Sequence, residues 1–166
     1  MLIRSETSAD ALAIVGVIER AFANDAHGPH TEQHIVRALR ASGALSVSLV
    51  ADIGSKVVGH VAYSPVTISN GALHWYGLGP LAVEPAFQSQ GVGTALVRAG
   101  LAQLRAMSAA GCVVLGDPAY YKRCGFKAIP GLVYPGPPPE YFLGQVFTGS
   151  LPQGEVAYHA AFASKA

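Results

Sequence analysis

The chain has 166 residues, of which 51% are hydrophobic and 13% charged, and its formal net charge is +1. This predicts one folded domain over residues 1–166, because a chain of that length buries roughly 70% of its unfolded surface. The low charge, without runs of Lys or Arg, argues against a nucleic-acid partner held by phosphate neutralisation. Without a signal-type leader, an apolar run of about 18 residues or a cysteine framework, a cytoplasmic protein with no membrane span is expected.

The first half of the chain predicts one strand, two helices and then three strands. Apolar residues recur at helical spacing after Thr7 or Ser8, either of which can cap the helix, and Gly43 follows the second helix. Turns are predicted around Gly54 and at Asn70-Gly71, each between extended segments. The predicted elements are strand 2–4, helices 9–23 and 31–41, and strands 46–52, 57–66 and 74–83.

The second half begins with a helix after Gly91, whose apolar stripe (Leu96, Val97, Leu101 and Leu104) ends near Gly111. A wholly apolar run at 112–115 is typical of a buried parallel strand. The remaining predicted elements are helix Pro118–Lys122, a strand beginning at Phe126, and, after a proline-rich loop, segment 140–147 and an extended piece at 156–159. The order β-α-α-β-β-β-α-β-α-β-β predicts an α+β fold with a mixed sheet.

Gly91 and Gly93 stand where a helix is about to start, although glycine is a poor helix former. A helix start leaves about four backbone N–H groups without internal partners, and the helix dipole adds partial positive charge there. Glycine keeps bulky side chains away from those donors and permits left-handed backbone. A strand, a polar loop and GVGTA entering a helix therefore predict a phosphate cradle.

Two familiar phosphate loops do not fit these glycines. A P-loop requires Gly-Lys-Ser or Gly-Lys-Thr, whereas Thr94 follows Gly93 directly. A dinucleotide-binding loop requires a third glycine, whose position is held by Leu96. Each motif lacks a residue that its chemistry needs.

The run QSQGVG, which follows a Leu-x-Val-x-Pro strand end, resembles motif A of the GNAT superfamily of acetyl-CoA-dependent N-acetyltransferases. Further along, YKRCGF resembles the superfamily's Tyr-x-x-x-Gly-Phe element. The runs GDPAYYKRCGF and EYFLGQVF…GEVAYHAAF are most similar to the YhbS-like branch. The resemblance implies a mixed, largely antiparallel twisted sheet with a splayed central parallel strand pair, flanked by helices.

The resemblance also implies that acetyl-CoA binds along the first splayed strand and at the cradle, without a metal. The backbone of Leu81 and Val83 is expected to meet the pantetheine arm, and Pro80 between strand residues fits an interrupted edge. The cradle N–H groups of residues 90–94 are expected to face the pyrophosphate. The predicted cofactor-binding residues are Leu81, Ala82, Val83, Gln88, Ser89, Gln90, Gly91, Val92, Gly93 and Thr94.

In many members of the superfamily the tyrosine of the Tyr-x-x-x-Gly-Phe element is the general acid, a role that falls on Tyr121 here. A phenol with a pKa of about 10 is protonated at neutral pH and can protonate a departing thiolate. The base stays unassigned, with His74 and Tyr76 as weak candidates and a water relay as an alternative. Glu84 is expected to lie too far away, and Asp117 before Pro118 is interpreted as a helix cap.

The sequence leaves the acceptor and the assembly open. His27, His30 and His34 invite a metal interpretation, but no complete set of ligands accompanies them, so no metal is predicted. The leading prediction is acetyl transfer to a primary amine of a small molecule or protein. The alternative is a non-catalytic acyl-CoA-binding module, which would have no need of an acid at Tyr121. A homodimer is possible because pairing is common in the family.

Overall fold

A mixed six-stranded sheet forms the centre of the computed structural model, which describes residues 1–25, 28 and 30–165. The strands are β1 (Leu2–Ser5), β2 (Val47–Ile53), β3 (Lys56–Pro65), β4 (Thr67–Ile68), β5 (Trp75–Val83), β6 (Gly111–Leu115), β7 (Leu132–Val133), β8 (Phe142–Val146) and β9 (Gly154–Ala157). The α-helices are α1 (Ala11–Phe22), α2 (Glu32–Ala41), α3 (Val92–Ala106) and α4 (Pro118–Lys122). The order in the main sheet is β1-β2-β3-β5-β6-β8.

The predicted helices and the strands up to residue 115 are confirmed, with bounds within two residues of those expected, except that α3 ends at Ala106 rather than near Gly111. The β2–β3 hairpin turns at Gly54 and Ser55, which both have a positive φ, as the tight turn requires. The predicted turn at Gly71 is also present, where its N–H donates to the Ile68 carbonyl at 2.9 Å. Local turn chemistry therefore fixes both reversals.

The parallel strand pair separates partway along its length. Strand β5 pairs with β6 from Trp75 to Leu78, and this ladder ends at Leu78 opposite Val114. Beyond it, β5 continues to Val83 beside the antiparallel strand β3, whereas β6 continues beside β8. The predicted splayed parallel pair in a largely antiparallel sheet is thus confirmed, and one edge of β5 faces the gap.

The helices cover both faces of the main sheet. The predicted stripe of α3 is buried, and the Tyr63 hydroxyl donates to the Val97 carbonyl at 2.7 Å, which fixes α3 on β3. On the other face, Ile14 and Ile18 of α1 are completely buried against β2 and β3. These two layers hold β5 in the middle of the sheet.

A second, three-stranded sheet in the order β4-β9-β7 was not predicted from the sequence. Two of its strands have only two residues, too few for a periodic pattern to be recognised. The predicted strand beginning at Phe126 is wrong: Phe126 is a buried core residue, and only the single bridge Lys127–Gly144 follows it. The chain then turns, because the N–H of Leu132 donates to the Ile129 carbonyl at 2.9 Å.

The last predicted extended piece also ends earlier than expected. Strand β9 stops at Ala157, and His159 instead caps a short 3₁₀ turn by accepting the Ala161 N–H at its Nδ1 atom, 3.0 Å away. This turn carries Phe162 back against α2. Across the described residues, no helix is long and apolar enough to cross a membrane.

Candidate active site

The loop between β5 and α3 presents backbone donors at the start of a helix. Gly91 precedes α3 with φ of 86°, and Ser89 has φ of 60°, so left-handed residues lead into a right-handed helix. The first helical hydrogen bond joins the Ala95 N–H to the Gly91 carbonyl at 3.0 Å, and the N–H groups of residues 92–94 lie ahead of it. Such a turn forms a concave anion-binding surface.

Two glutamine side chains brace this loop. The Gln88 amide donates to the Val83 carbonyl at 3.0 Å, and the Gln90 amide donates to the Ala86 carbonyl at 3.1 Å. Both bonds return to the chain just before α3, so they hold the loop against the end of β5. The polar residues of the loop thus have a structural function at the cradle.

A cavity of about 480 Å³ lies beside the cradle, and we call it the loop cavity. Its lining residues are Leu81, Val83, Gln88, Ser89, Gly91, Gly93, Thr94, Tyr120 and Arg123. It runs from the free edge of β5 to the start of α3, the path expected for an extended ligand with a phosphate end.

Three of the predicted cofactor-binding residues do not line the loop cavity. Ala82 is buried among α1 residues, because side chains alternate between the two faces of a strand. Val92 is buried in the core under α3, and the Gln90 side chain turns back to Ala86. At these three positions only the backbone remains available to a ligand.

Arg123 and Tyr120 line the loop cavity but were not predicted as binding residues. The Arg123 guanidinium lies 5.3 Å from the centre of the Tyr120 ring. The backbone carbonyl of Arg123 accepts a hydrogen bond from the Arg98 guanidinium at 3.2 Å. Arg123 therefore adds positive charge for an anion on the wall of this cavity. The signal was present in the YKRCGF run, where Arg123 lies two residues after Tyr121.

A second cavity, of about 310 Å³, opens on the other side of the splayed strand, and we call it the aromatic cavity. Its lining residues are Phe22, Glu32, Ile35, Leu78, Gly79, Pro80, Leu81, Leu115, Tyr121, Tyr134, Tyr158 and Phe162. Leu81 lines both cavities, so they meet where β5 has lost its partner strand. The gap in the sheet therefore joins two binding spaces.

Tyr121 stands on the wall of the aromatic cavity, which Leu81 also lines. Helix α4 positions it, and Asp117 caps that helix by accepting the Ala119 N–H at 3.0 Å, which confirms the predicted cap. The Tyr121 ring packs edge-on against Tyr120 and Phe126, with centroids 5.0 and 5.9 Å away. Burial raises the pKa of the Tyr121 hydroxyl above its usual range, so it stays protonated at neutral pH.

Two glycines make room for the rings of the aromatic cavity. A Cβ atom on Gly116 would lie 2.5 Å from the Tyr121 ring, and one on Gly77 would collide with the Tyr158 ring. Both rings therefore rest directly on the backbone. A side chain at either glycine would push its ring toward the cavity.

Comparison with known proteins agrees with this arrangement. The model of the acetyltransferase (GNAT) family matches residues 17–126, which include β5, the cradle and α4. The chain belongs to the GNAT family.

Among its relatives, the uncharacterized N-acetyltransferase YhbS of Escherichia coli K12 is 42% identical over 128 residues, which are 76% of this chain and 74% of YhbS. A GNAT acetyltransferase from Brucella melitensis, solved in complex with acetyl-CoA, is 49% identical, with a TM-score of 0.87 and 97% of each chain covered. The E. coli YhbS structure, solved with CoA, has a TM-score of 0.88 at 35% identity over 98% of this chain and 91% of YhbS. The predicted YhbS-like branch is thereby confirmed.

The two weak base candidates lie elsewhere in this GNAT fold. His74 and Tyr76 line a third cavity at the start of β5, and neither lines the aromatic cavity with Tyr121. His74 is exposed just before β5, at a left-handed backbone position with φ of 67°. The strand runs away from the splay in this direction, so neither side chain lies in the cavity that holds Tyr121, and the base stays unassigned.

Four other carboxylates and histidines considered from the sequence, Glu84, Asp117, His30 and His34, do not line either of the two cavities. Glu84 is buried and pairs with Arg20, whose Nε lies 2.6 Å from Glu84 Oε1. Within the part of the chain that the structure describes, no three His, Cys, Asp or Glu side chains form a possible metal site. His30 and His34 belong to this part, whereas His27 lies outside the described residues.

His60 on β3 is buried and belongs to a polar cluster with Ser48 of β2, Glu6 and Arg40 of α2. The His60 Nε2 atom lies 2.8 Å from Ser48 Oγ, and Glu6 accepts two bonds from Arg40 at 2.9 and 3.0 Å. Burial favours the neutral acid, but contacts with His60, Arg40 and Ser48 outweigh it and lower the pKa of Glu6 to about 2. The cluster ties the N-terminal segment to the sheet, as a structural role for His60 requires.

Proposed function

We propose that this protein is an acetyl-CoA-dependent N-acetyltransferase that transfers acetyl directly to a primary amine of a small molecule or protein. The observation that carries the proposal is the junction of the two cavities at Leu81, on the free edge of the splayed strand. One cavity offers backbone donors and Arg123 to an anionic ligand, and the other reaches the same edge from the opposite side. Two substrates entering from opposite sides would meet there.

The loop cavity fits the parts of acetyl-CoA. The backbone edge at Leu81 and Val83 suits an extended amide-bearing arm, since an unpaired strand edge offers both donors and acceptors. The N–H groups of residues 92–94 and the charge of Arg123 suit a pyrophosphate. Two similar proteins, from B. melitensis and E. coli, were solved with acetyl-CoA and CoA respectively, which supports the same ligand here.

Acetyl-CoA supplies the acetyl group as a thioester, whose carbon–sulfur bond breaks as the amine nitrogen bonds to the carbonyl carbon. Tyr121 donates its hydroxyl proton to the departing sulfur and regains a proton from solvent. The nitrogen releases one proton to water, so an amide and free CoA thiol are formed. The strand edge orients the two substrates, which lowers the entropic cost of their meeting.

The alternative function is a module that binds acyl-CoA without turnover. Tyr121 argues against it, because a half-buried, protonated phenol on the wall of the aromatic cavity is what a departing thiolate requires and a simple binder does not. The aromatic cavity argues against it as well, since a binder needs only the loop cavity.

Isothermal titration with acetyl-CoA, with CoA and ATP as controls, tests the proposal first. Micromolar binding of acetyl-CoA and CoA, but not ATP, is expected. A thiol-release assay over a set of amines then separates the two functions, because only a transferase releases free CoA. Binding without thiol release from any amine would favour the module, and no binding at all would overturn both.

A further inference from the structure

The wall of the aromatic cavity is mainly apolar. It carries five aromatic side chains from helices, short turns and the C-terminal segment: Phe22, Tyr121, Tyr134, Tyr158 and Phe162. The Tyr158 ring contacts Tyr134 edge-on and Phe162 at a tilt, with centroids 5.2 and 5.0 Å away. Such interlocked rings form a rigid surface that suits an apolar body and, at the ring faces, a cation.

Glu32, at the start of α2, brings the single formal charge among the residues described along this wall. Its Oε2 atom is buried and has no hydrogen-bond partner within the described structure. A buried carboxylate oxygen without a partner is costly, and the cost is recovered when a cation or donor reaches it. The cavity is thus prepared for a positively charged group at Glu32.

The hydroxyl of Tyr158 is a second buried polar atom without a partner on the same wall. Burial raises the pKa of Tyr158 above its usual range, so the phenol keeps its proton and remains uncharged. An ammonium group carries three N–H donors, and a carboxylate and a phenol oxygen can each accept one. Both unpartnered atoms therefore belong to residues that line this cavity, and each can accept a hydrogen bond from an ammonium group.

The volume of the aromatic cavity and the charges along its wall narrow the class of ligand further. A volume of about 310 Å³ lies near the lower end of ligand cavities, roughly 300–1,000 Å³, so the ligand body is compact. A second cationic group would lie against apolar rings without a carboxylate, which disfavours polyamines. A carboxylate-bearing amine would meet no Lys, Arg or His among the lining residues that the structure describes.

We propose that the acceptor is a compact monoamine on an apolar, ring-sized body, and that Glu32 binds its ammonium group. The inference rests on the proposed function, because it names the acceptor of that same site. Glu32 acts here as a specificity-determining residue that binds the protonated amine. The bound ammonium group loses one proton to water before the neutral amine attacks the thioester, and Tyr121 protonates the leaving thiolate.

The test is isothermal titration of the CoA-loaded protein with 2-phenylethylamine and with 2-phenylethanol, which has the same body without the charge. The parent protein is expected to bind the amine at least about tenfold more tightly than the alcohol. Glu32→Gln is expected to weaken amine binding about 10- to 100-fold and to change alcohol binding less than about twofold, because it removes only the charge of a charged hydrogen bond. Spermidine and phenylalanine are expected to bind more weakly than the monoamine.

Glu155→Gln is the matched control, because Glu155 is an exposed carboxylate on β9 and should leave both ligands unaffected. Equal amine affinity in the parent and Glu32→Gln would overturn the role of Glu32. Preference for spermidine would overturn the proposed class. Should Glu32→Gln fail to fold, the parent's preference for amine over alcohol decides, and equal binding of the two rejects the inference.

Failure of this inference is distinguishable from failure of the transferase proposal. Thiol release from some amine, combined with Glu32-independent binding, would reject the inference alone. Glu32-dependent amine binding by the protein without CoA, combined with no affinity for acetyl-CoA, would reject the transferase proposal and leave the amine site standing.

Discussion

The loop cavity and the aromatic cavity meet at one leucine but are built in different ways. The loop cavity is formed mostly by one continuous stretch, from Leu81 to Thr94, and its polar groups are largely backbone. The aromatic cavity is formed by side chains that come from residue 22 to residue 162. A site made of local backbone depends on a few conformations, whereas a site made of distant side chains depends on the whole fold.

The largest effect is expected at Tyr121, the proposed general acid on the wall of the aromatic cavity. Tyr121→Phe keeps the ring and its packing but removes the proton that the leaving thiolate needs. Turnover should fall by about 10²-fold or more while acetyl-CoA affinity stays nearly constant. Steady-state thiol release and titration measure the two quantities. Unaltered turnover, or an equal loss of affinity, would reject the acid.

A change at Gly91 should damage the loop cavity alone. A Cβ at Gly91 meets no atom within 4 Å, so the conflict is with its φ of 86°, which a β-branched residue rarely adopts. Gly91→Val should turn cradle donors away from the phosphates and weaken acetyl-CoA binding about 10- to 100-fold, a loss typical of charge-assisted bonds.

Gly43 offers a matched control for this change. It too has a positive φ, 74°, with open space where a Cβ would be, but it follows α2 far from the cradle. Gly43→Val should therefore cost comparable stability, measured by thermal unfolding, without altering acetyl-CoA affinity. If both variants bound acetyl-CoA equally well, the cradle would not contact the phosphates.

A change at Glu6 separates stability from function. The pKa of Glu6 is about 2 in the fold against 4.5 in its ordinary state, so its stabilisation is present above pH 4.5 and is lost as the pH falls toward 2. Glu6→Gln should lower the free energy of unfolding by about 2 kcal/mol at pH 7, a value reduced for partial exposure.

Denaturant unfolding at several pH values checks this prediction. The difference between parent and Glu6→Gln should shrink as the pH falls through that window, while substrate affinities at pH 7 stay unchanged. If the difference in the free energy of unfolding were constant from pH 7 to pH 2, Glu6 would not contribute to the loss of stability in acid.

The smallest effect is expected at His74, which lines neither cavity. His74→Asn removes the imidazole but suits the left-handed backbone at this position, since asparagine tolerates it well. Turnover should stay within about twofold of the parent across the pH range where histidine titrates, roughly 5.5 to 7.5. A loss of 100-fold would restore His74 as a base.

The same contrast explains what could be predicted from the sequence. The cradle could be predicted from the sequence because its glycines and the helix after them are adjacent in the chain. The inward direction of the Ala82 and Val92 side chains follows from the geometry of the strand and the helix that carry them. Arg123 could also have been predicted, because it lies two residues after Tyr121 in the same motif. The aromatic cavity could not be predicted, because no local sequence pattern indicates that Glu32 and Tyr158 lie on the same wall. The same holds for the short strands β4 and β7, which exist only through pairing with β9.

The glycines behind the aromatic rings have an evolutionary consequence. Because Tyr121 and Tyr158 rest on Gly116 and Gly77, one added methyl at either glycine shifts a ring by a fraction of its width. The space open to the proposed acceptor can therefore change through positions that do not line the cavity. Descendants of this chain can acquire new acceptors by small steps behind the wall while the cradle stays unaltered.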